Sequence, residues 1–187
     1  MSAQVRVVMN QDLETITHKV KLIPAKLSDY PMIQNMARFY AYEMSRYCGH
    51  DSKDWACPDD GLYECIDFKF YFVEENHYPY FIKVDDELAG FVLIDKKGTT
   101  SDVDWNMGQF YVHARFQGRG IAWEVLKQVW NQYKGIWEVR VMPENTKALN
   151  FWRRVINQFT SGNYTEEIKL VNNDSEKAER YAFKFTT

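Results

Sequence analysis

The stretch "QGRGIA" (117–122) lies between "QFYVHARF" (109–116) and "WEVLKQVWNQYKG" (123–135). An apolar run with strand character ends before it, and a run with helical spacing begins inside it. Ile121, Val125, Val129 and Tyr133 recur along one helical face. Gly118 and Gly120 remove two side chains from the start of that helix. Unpaired N–H groups and the positive end of the helix dipole favour an anion there. Arg115 and Arg119 add charge beside it. A phosphate or pyrophosphate is one occupant of such a turn. A turn that needs glycine only for its own backbone is the plain alternative.

The segments on either side, 106–113 and 136–142, both read as strands, the second ended by Pro143. A strand–helix–strand unit of this kind calls for a right-handed parallel crossover. Upstream, 79–84 and 88–95 flank Asp85, Asp86 and Glu87 and read as a hairpin. Further out, 20–25 reads as a strand and 28–47 as a helix. Ser28 or Asp29 caps that helix, Pro31 fits its first turn, and Ile33, Met36, Tyr40, Met44 and Tyr47 fall at helical spacing. The aromatic segment 62–75 is expected to be a second helix. Downstream, Asn145 caps a helix over 146–159, and strands at 165–171 and 180–186 close around the polar loop 172–179. The sum is a mixed α/β (α+β) chain with a central sheet flanked by helices.

The chain has 187 residues, the size of one domain. Residues 1–19 read as an N-terminal extension and 20–187 as the domain. With 45% apolar and 26% charged residues, the composition is that of a water-soluble globular protein. A net charge of −3 is a poor match for nucleic acid. No apolar run is long enough to span a membrane. The first residues lack the apolar core of a secretory signal. Cys48, Cys57 and Cys65 form no CxxC, and His18, His50, His77 and His113 are scattered, so neither a disulfide framework nor a metal site is expected. The expected location is the cytoplasm.

A second motif follows the strand at 136–142. Asn145, Ala148, Phe151 and Trp152 stand in the order N-x-x-A-x-x-F-W. Read alone, Asn145 is a helix cap and Trp152 a core residue. Together with Gln117, Gly120 and Ala122, which fit Q/R-x-x-G-x-G/A, the pair resembles the GNAT superfamily of acyl-CoA-dependent N-acyltransferases. The chain is similar to uncharacterised bacterial members, with the motifs clearest from about 79 to 160. The resemblance implies a GNAT-like single domain and acetyl-CoA as cosubstrate, with no metal. It implies that backbone groups near Phe110, Tyr111 and Val112 hold the pantetheine arm. The N–H groups of Gln117, Gly118, Arg119, Gly120, Ile121 and Ala122 would hold the pyrophosphate, with Asn145 and Trp152 beside the cofactor. The acceptor, a small-molecule or peptide amine, would enter across the helices at 28–47 and 62–73. The oligomeric state is open, a homodimer included.

The implied chemistry is direct transfer of an acetyl group to a primary amine in a ternary complex, since no cysteine lies beside the glycine turn. Freeing a lysine-like amine at pH 7 costs roughly 4–5 kcal/mol, which calls for a base. Two positions depart from the family pattern. Gln109 stands where relatives carry a glutamate base, and Trp152 where they carry a tyrosine acid. Glu138 is the expected replacement base; Glu43, Asp102 and Asp104 are others, and each carboxylate could instead serve a salt bridge, as Glu138 with Arg140. Tyr111 is the candidate acid. Phe39, Tyr42, Tyr47, Tyr63, Phe68 and Tyr71 line an acceptor pocket or fill the core. Two other functions fit parts of the sequence. One is an acyl-CoA-binding sensor that has lost its chemistry with Gln109 and Trp152. The other is a dinucleotide-binding oxidoreductase, which Gly118 and Gly120 suit but Trp123, in place of a third glycine, does not.

Overall fold

The computed structural model of the chain describes residues 18–48, 53–172 and 177–187. Most of the expected N-terminal extension, residues 1–17, lies outside them, as does the centre of the polar loop, 173–176. The strands are β1 (Val20–Pro24), β2 (His77–Val84), β3 (Glu87–Asp95), β4 (Trp105–Val112), β5 (Ile136–Val141), β6 (Tyr164–Asn172) and β7 (Lys177–Thr186). The helices are α1 (Tyr30–Cys48), α2 (Phe70–Val73), α3 (Ile121–Gln132) and α4 (Thr146–Thr160). All seven strands form one sheet in the order β1-β2-β3-β4-β5-β7-β6. Only the β4–β5 pair, joined through α3, is parallel.

Alternation along the strands divides the core in two. Tyr80, Ile82, Val92, Trp137, Val139 and Phe183 face α3 and α4, where Val125, Val129, Trp130 and Ile156 meet them. Phe81, Phe91, Leu93 and Tyr111 face the other way and pack on Ile33, Met36 and Ala37 of α1 and Phe68 before α2. The β2–β3 hairpin closes through Asp85 and Asp86, both with positive φ, as the twist of two paired strands requires of a two-residue turn.

The helix expected over 62–75 shrinks to Phe70–Val73. Side chains of α1 explain the loss. Arg38 donates to the Tyr63 carbonyl, and Gln34 donates to the Ile66 carbonyl while accepting the Phe68 N–H. The backbone is thus satisfied from outside, and an aromatic segment with weak helix propensity follows α1 instead of coiling.

Candidate active site: a groove between two parted parallel strands

β4 and β5 pair from Trp105–Trp137 to Met107–Val139 and then part. Gly108 is an extra residue in β4, because the register with β3 jumps from Ile94–Met107 to Leu93–Gln109. Such a bulge bends its strand, and it falls where the partner is lost. Beyond it, β4 keeps β3 on one edge and has no strand on the other. The gap is a groove of about 730 Å³. Residues 108–112 of β4 and 139–141 of β5 form its floor; Tyr40, Glu43 and Met44 of α1 form one wall, and Ala148, Phe151 and Trp152 of α4 the other. Gln117, Gly118 and residues 120–123 stand at its mouth.

The mouth is made of backbone. Gly118 and Gly120 have φ of 74° and 77°, a left-handed conformation that favours glycine, and a Cβ at either would meet nothing within 4 Å. Gly120 is the N-cap of α3 and offers no side chain to the helix's first N–H groups. These donors are left for a ligand. Gln117 braces the turn, donating to the Val112 carbonyl at 2.8 Å and accepting from Lys147 Nζ at 3.1 Å. Val112 O is therefore committed, and Tyr111 O points the other way, against Gly90 of β3, so of these residues Phe110 is the one whose backbone keeps a groove-side edge. Lys147 brings to the mouth a cation that sequence spacing had not singled out. Arg115 is engaged by Glu87 at 2.8 Å, and Arg119 is exposed.

Asn145 is both cap and lining residue. Its Oδ1 accepts the Ala148 N–H at 3.0 Å, and its amide nitrogen contacts Met44 Sδ at 3.2 Å. Trp152 is packed edge-on against Phe110, with Phe151 stacked on the same ring. Ile121 is buried core, and only its backbone belongs to the turn.

At the inner end the side chains depart from the sequence expectation. Glu138 is 0% exposed and does not line the groove. Its carboxylate accepts the Thr99 N–H at 3.0 Å and the Thr99 hydroxyl, with Arg140 Nε at 3.6 Å and Lys169 Nζ at 3.8 Å. Glu138 pairs with Asn106 where β4 and β5 are still joined, and Thr99 covers its carboxylate; Arg140, two residues on along the same face, lies past the parting and reaches the groove. A buried carboxylate with these partners is a structural anchor, so Glu138 is not kept as the base. Asp102 pairs with Lys184, whose hydrogen bond holds its carboxyl down to about 2. Asp104 accepts the Ile136 N–H. Of the four acids singled out, Glu43 alone lines the groove.

Beneath Gly108 lies a buried polar cluster that the sequence did not reveal. Tyr71 donates its hydroxyl to Asp95, which also accepts from Asn106 Nδ2 at 3.0 Å and the Lys97 N–H at 2.8 Å. A Cβ on Gly108 would lie 1.9 Å from the Tyr71 hydroxyl, so the bulge and this hydroxyl require glycine here. Phe68 and Tyr71 are thus core, whereas Phe39, Tyr42 and Tyr47 line a second cavity of about 710 Å³. This cavity meets the groove at Glu43, Tyr47 and Tyr111. Burial, with Glu43 nearby, pushes the Tyr111 hydroxyl up to about 12; it lies 3.3 Å from His113 Nδ1. Burial also lowers the His113 pKa, favouring the neutral ring.

Among the described residues no group of three or more His, Cys, Asp or Glu side chains is placed to hold a metal ion, and no helix is long and apolar enough to cross a membrane.

A sheet divided between two parallel strands, with an anion-ready helix start at the mouth of the gap, is the build of an acyl-CoA-dependent transferase fold. Residues 37–156 match the acetyltransferase (GNAT) family, and the chain belongs to that family. No curated protein matches it. Among solved structures it is similar to an acetyltransferase from Thermus thermophilus, at 15% identity and a TM-score of 0.58 over 90% of this chain and 100% of that one. A GNAT family acetyltransferase from Elizabethkingia anophelis with acetyl-CoA bound aligns at 11% identity and 0.52, over 90% and 98%. A chimera of Vibrio cholerae spermidine N-acetyltransferase SpeG and hSSAT aligns at 12% and 0.55, over 89% and 95%. At these identities the likeness is one of fold.

Proposed function

We propose that the chain transfers the acetyl group of acetyl-CoA to a primary amine by direct attack in a ternary complex. The observation that carries this is the open edge of β4, which leads from the free N–H groups at Gly118–Ala122 to the point where β5 rejoins it. The pyrophosphate would sit on those N–H groups. The pantetheine would run along Phe110 and Tyr111 and bring the thioester to Gly108. Asn145 and Trp152 would flank it from α4. Among the residues whose side chains are described no cysteine lines the groove, and in this reading the amine attacks the thioester itself.

The amine must lose a proton, and Gln109 at the inner end cannot take it. Glu43, the one candidate acid on the groove wall, is the proposed acceptor, through water. The departing thiolate needs little help, because a thiol pKa near 8.5 makes it a fair leaving group. Tyr111, with its hydroxyl pushed up to about 12, is too weak an acid to protonate it outright and would serve as a hydrogen-bond donor.

Gln109 and Trp152 favour a second reading, an acyl-CoA-binding module without turnover. One experiment separates the two. Calorimetric titration with CoA should give a single site, and acetyl-CoA with an amine panel should release free thiol. Binding without thiol release supports the module; no CoA binding sinks both.

A further inference from the structure

Arg140 follows directly on the last β4–β5 pair, Met107–Val139, and so stands where the groove closes. It shares a sheet face with Glu138, the face covered by α1 and α2. Gly108 presents its missing Cβ to the same side, and Gln109 pairs with Leu93, whose side chain packs there too. Gly108, Gln109 and Arg140 all line the groove. The other face holds the core under α3 and α4. Arg140 therefore meets whatever approaches the thioester from the α1–α2 side.

The guanidinium is held from behind. Nη2 donates to the Lys97 carbonyl at 3.2 Å, and Nε lies 3.6 Å from the fully buried Glu138 carboxylate. Thr99 and Lys169 fix that carboxylate in turn. The arginine side chain is 24% exposed. Five N–H donors in a planar fork cannot all be used by these partners, although the guanidinium charge also acts on the nearby Tyr71 hydroxyl. Asp95, the other buried acid nearby, accepts from Tyr71, Asn106 and the Lys97 N–H and does not line the groove. The acceptor side of the groove's inner end thus presents a preorganised cation.

A cation in that place repels a simple ammonium and binds a carboxylate or phosphate by charge-assisted, fork-shaped hydrogen bonds. We infer that the acceptor amine carries an anionic group, a carboxylate or a phosphate, close to its nitrogen, and that Arg140 holds this group. Glu138 is then a positioning residue, acting through Arg140. The inference rests on the proposed acetyl transfer and narrows its acceptor.

The test uses the full chain with acetyl-CoA. Amino acids and O-phosphoethanolamine are compared with amino-acid amides and ethanolamine, which lack the anion. The anionic amines should have the higher kcat/KM by about 10–100-fold, the size of a lost hydrogen bond to a charged group. The carboxylate and phosphate arms show which anion is preferred. Arg140→Gln should remove the advantage, raising acceptor KM for the anionic amines about 10–100-fold more than for the neutral ones. Arg140→Lys keeps a charge beside Glu138 but loses the fork, and should fall in the same direction. Calorimetric titration of the anionic amines into the CoA complex gives a readout that needs no turnover. Equal rates for anionic and neutral amines would overturn the inference, as would equal loss of both in Arg140→Gln. Titrations identical for wild type and Arg140→Gln would also overturn it. Failure of CoA itself to bind would instead strike the proposed function, and is read separately.

Discussion

The two ends of the groove are built from different materials. At the mouth, Gly118 and Gly120 bend the chain into the start of α3, and the chemistry belongs to backbone N–H groups. At the inner end it belongs to side chains: Arg140 reaches the groove, backed by a buried cluster gathered from β3, β4, β5, the loop after β3 and α2, namely Asp95, Asn106, Glu138, Thr99 and Tyr71. Contacts within a few residues make the first; pairing of distant strands makes the second. A backbone site tolerates change in every side chain except those that set its φ angles. A side-chain cluster in a low-dielectric setting fails when one member is lost.

Four substitutions or conditions test this contrast, from the largest expected effect down. Gly120→Val should cut CoA affinity by about 100-fold or more, measured by calorimetry. A β-branched residue resists a φ of 77° and crowds the N–H groups; the left-handed backbone alone costs about 1–2 kcal/mol of stability. Retained affinity in a folded variant would show that the mouth does not hold the pyrophosphate.

Glu138→Gln should act on the inner end alone. It leaves Arg140 and Lys169 without their buried counter-charge, and denaturant unfolding should show a loss of about 2–3 kcal/mol. CoA affinity should hold. A variant as stable as wild type, but with a turnover that recovers steeply as pH rises, would restore Glu138 as the base.

Asn145→Ala tests the side of the mouth supplied by α4. Loss of the cap to Ala148 should cost about 1 kcal/mol in unfolding experiments. A simultaneous fall in CoA affinity would mark Asn145 as a ligand residue as well as a cap; unchanged affinity would leave it a cap alone.

The smallest effect is on pH dependence. Burial lowers the His113 pKa in the folded chain, whereas in the unfolded chain it is about 6.5. Below that value the unfolded state binds more protons, so stability falls as pH falls from about 6.5 towards the folded pKa. His113→Gln should flatten this part of the stability–pH curve, followed by urea midpoints between about pH 7.5 and about pH 5. An unaltered slope would mean that His113 is protonated as easily folded as unfolded.

Local signals carried much of the fold. Alternating apolar residues, the Asp85–Asp86 turn, Asn145 as a cap and glycine before α3 each lie within one segment, and the structure has each in place. The segment 62–75 misled because its backbone partners, Gln34 and Arg38, are about thirty residues away on α1. Glu138 misled for a related reason. Its own segment does not show where β4 and β5 part, and Glu138 lies on the paired side of that point while Arg140 lies beyond it.

The sequence by itself determined the strand and helix order, the family and the backbone mouth of the groove, because these depend on φ preferences, periodicity and short spacing. Tertiary structure alone decided the inner end. It set Gly108 against Tyr71, buried Glu138 behind Arg140 and left Glu43 as the candidate acid on the groove wall. The reason is physical: the energy of a charge depends on its burial and partners, and in this chain those partners come from strands and loops far apart in sequence.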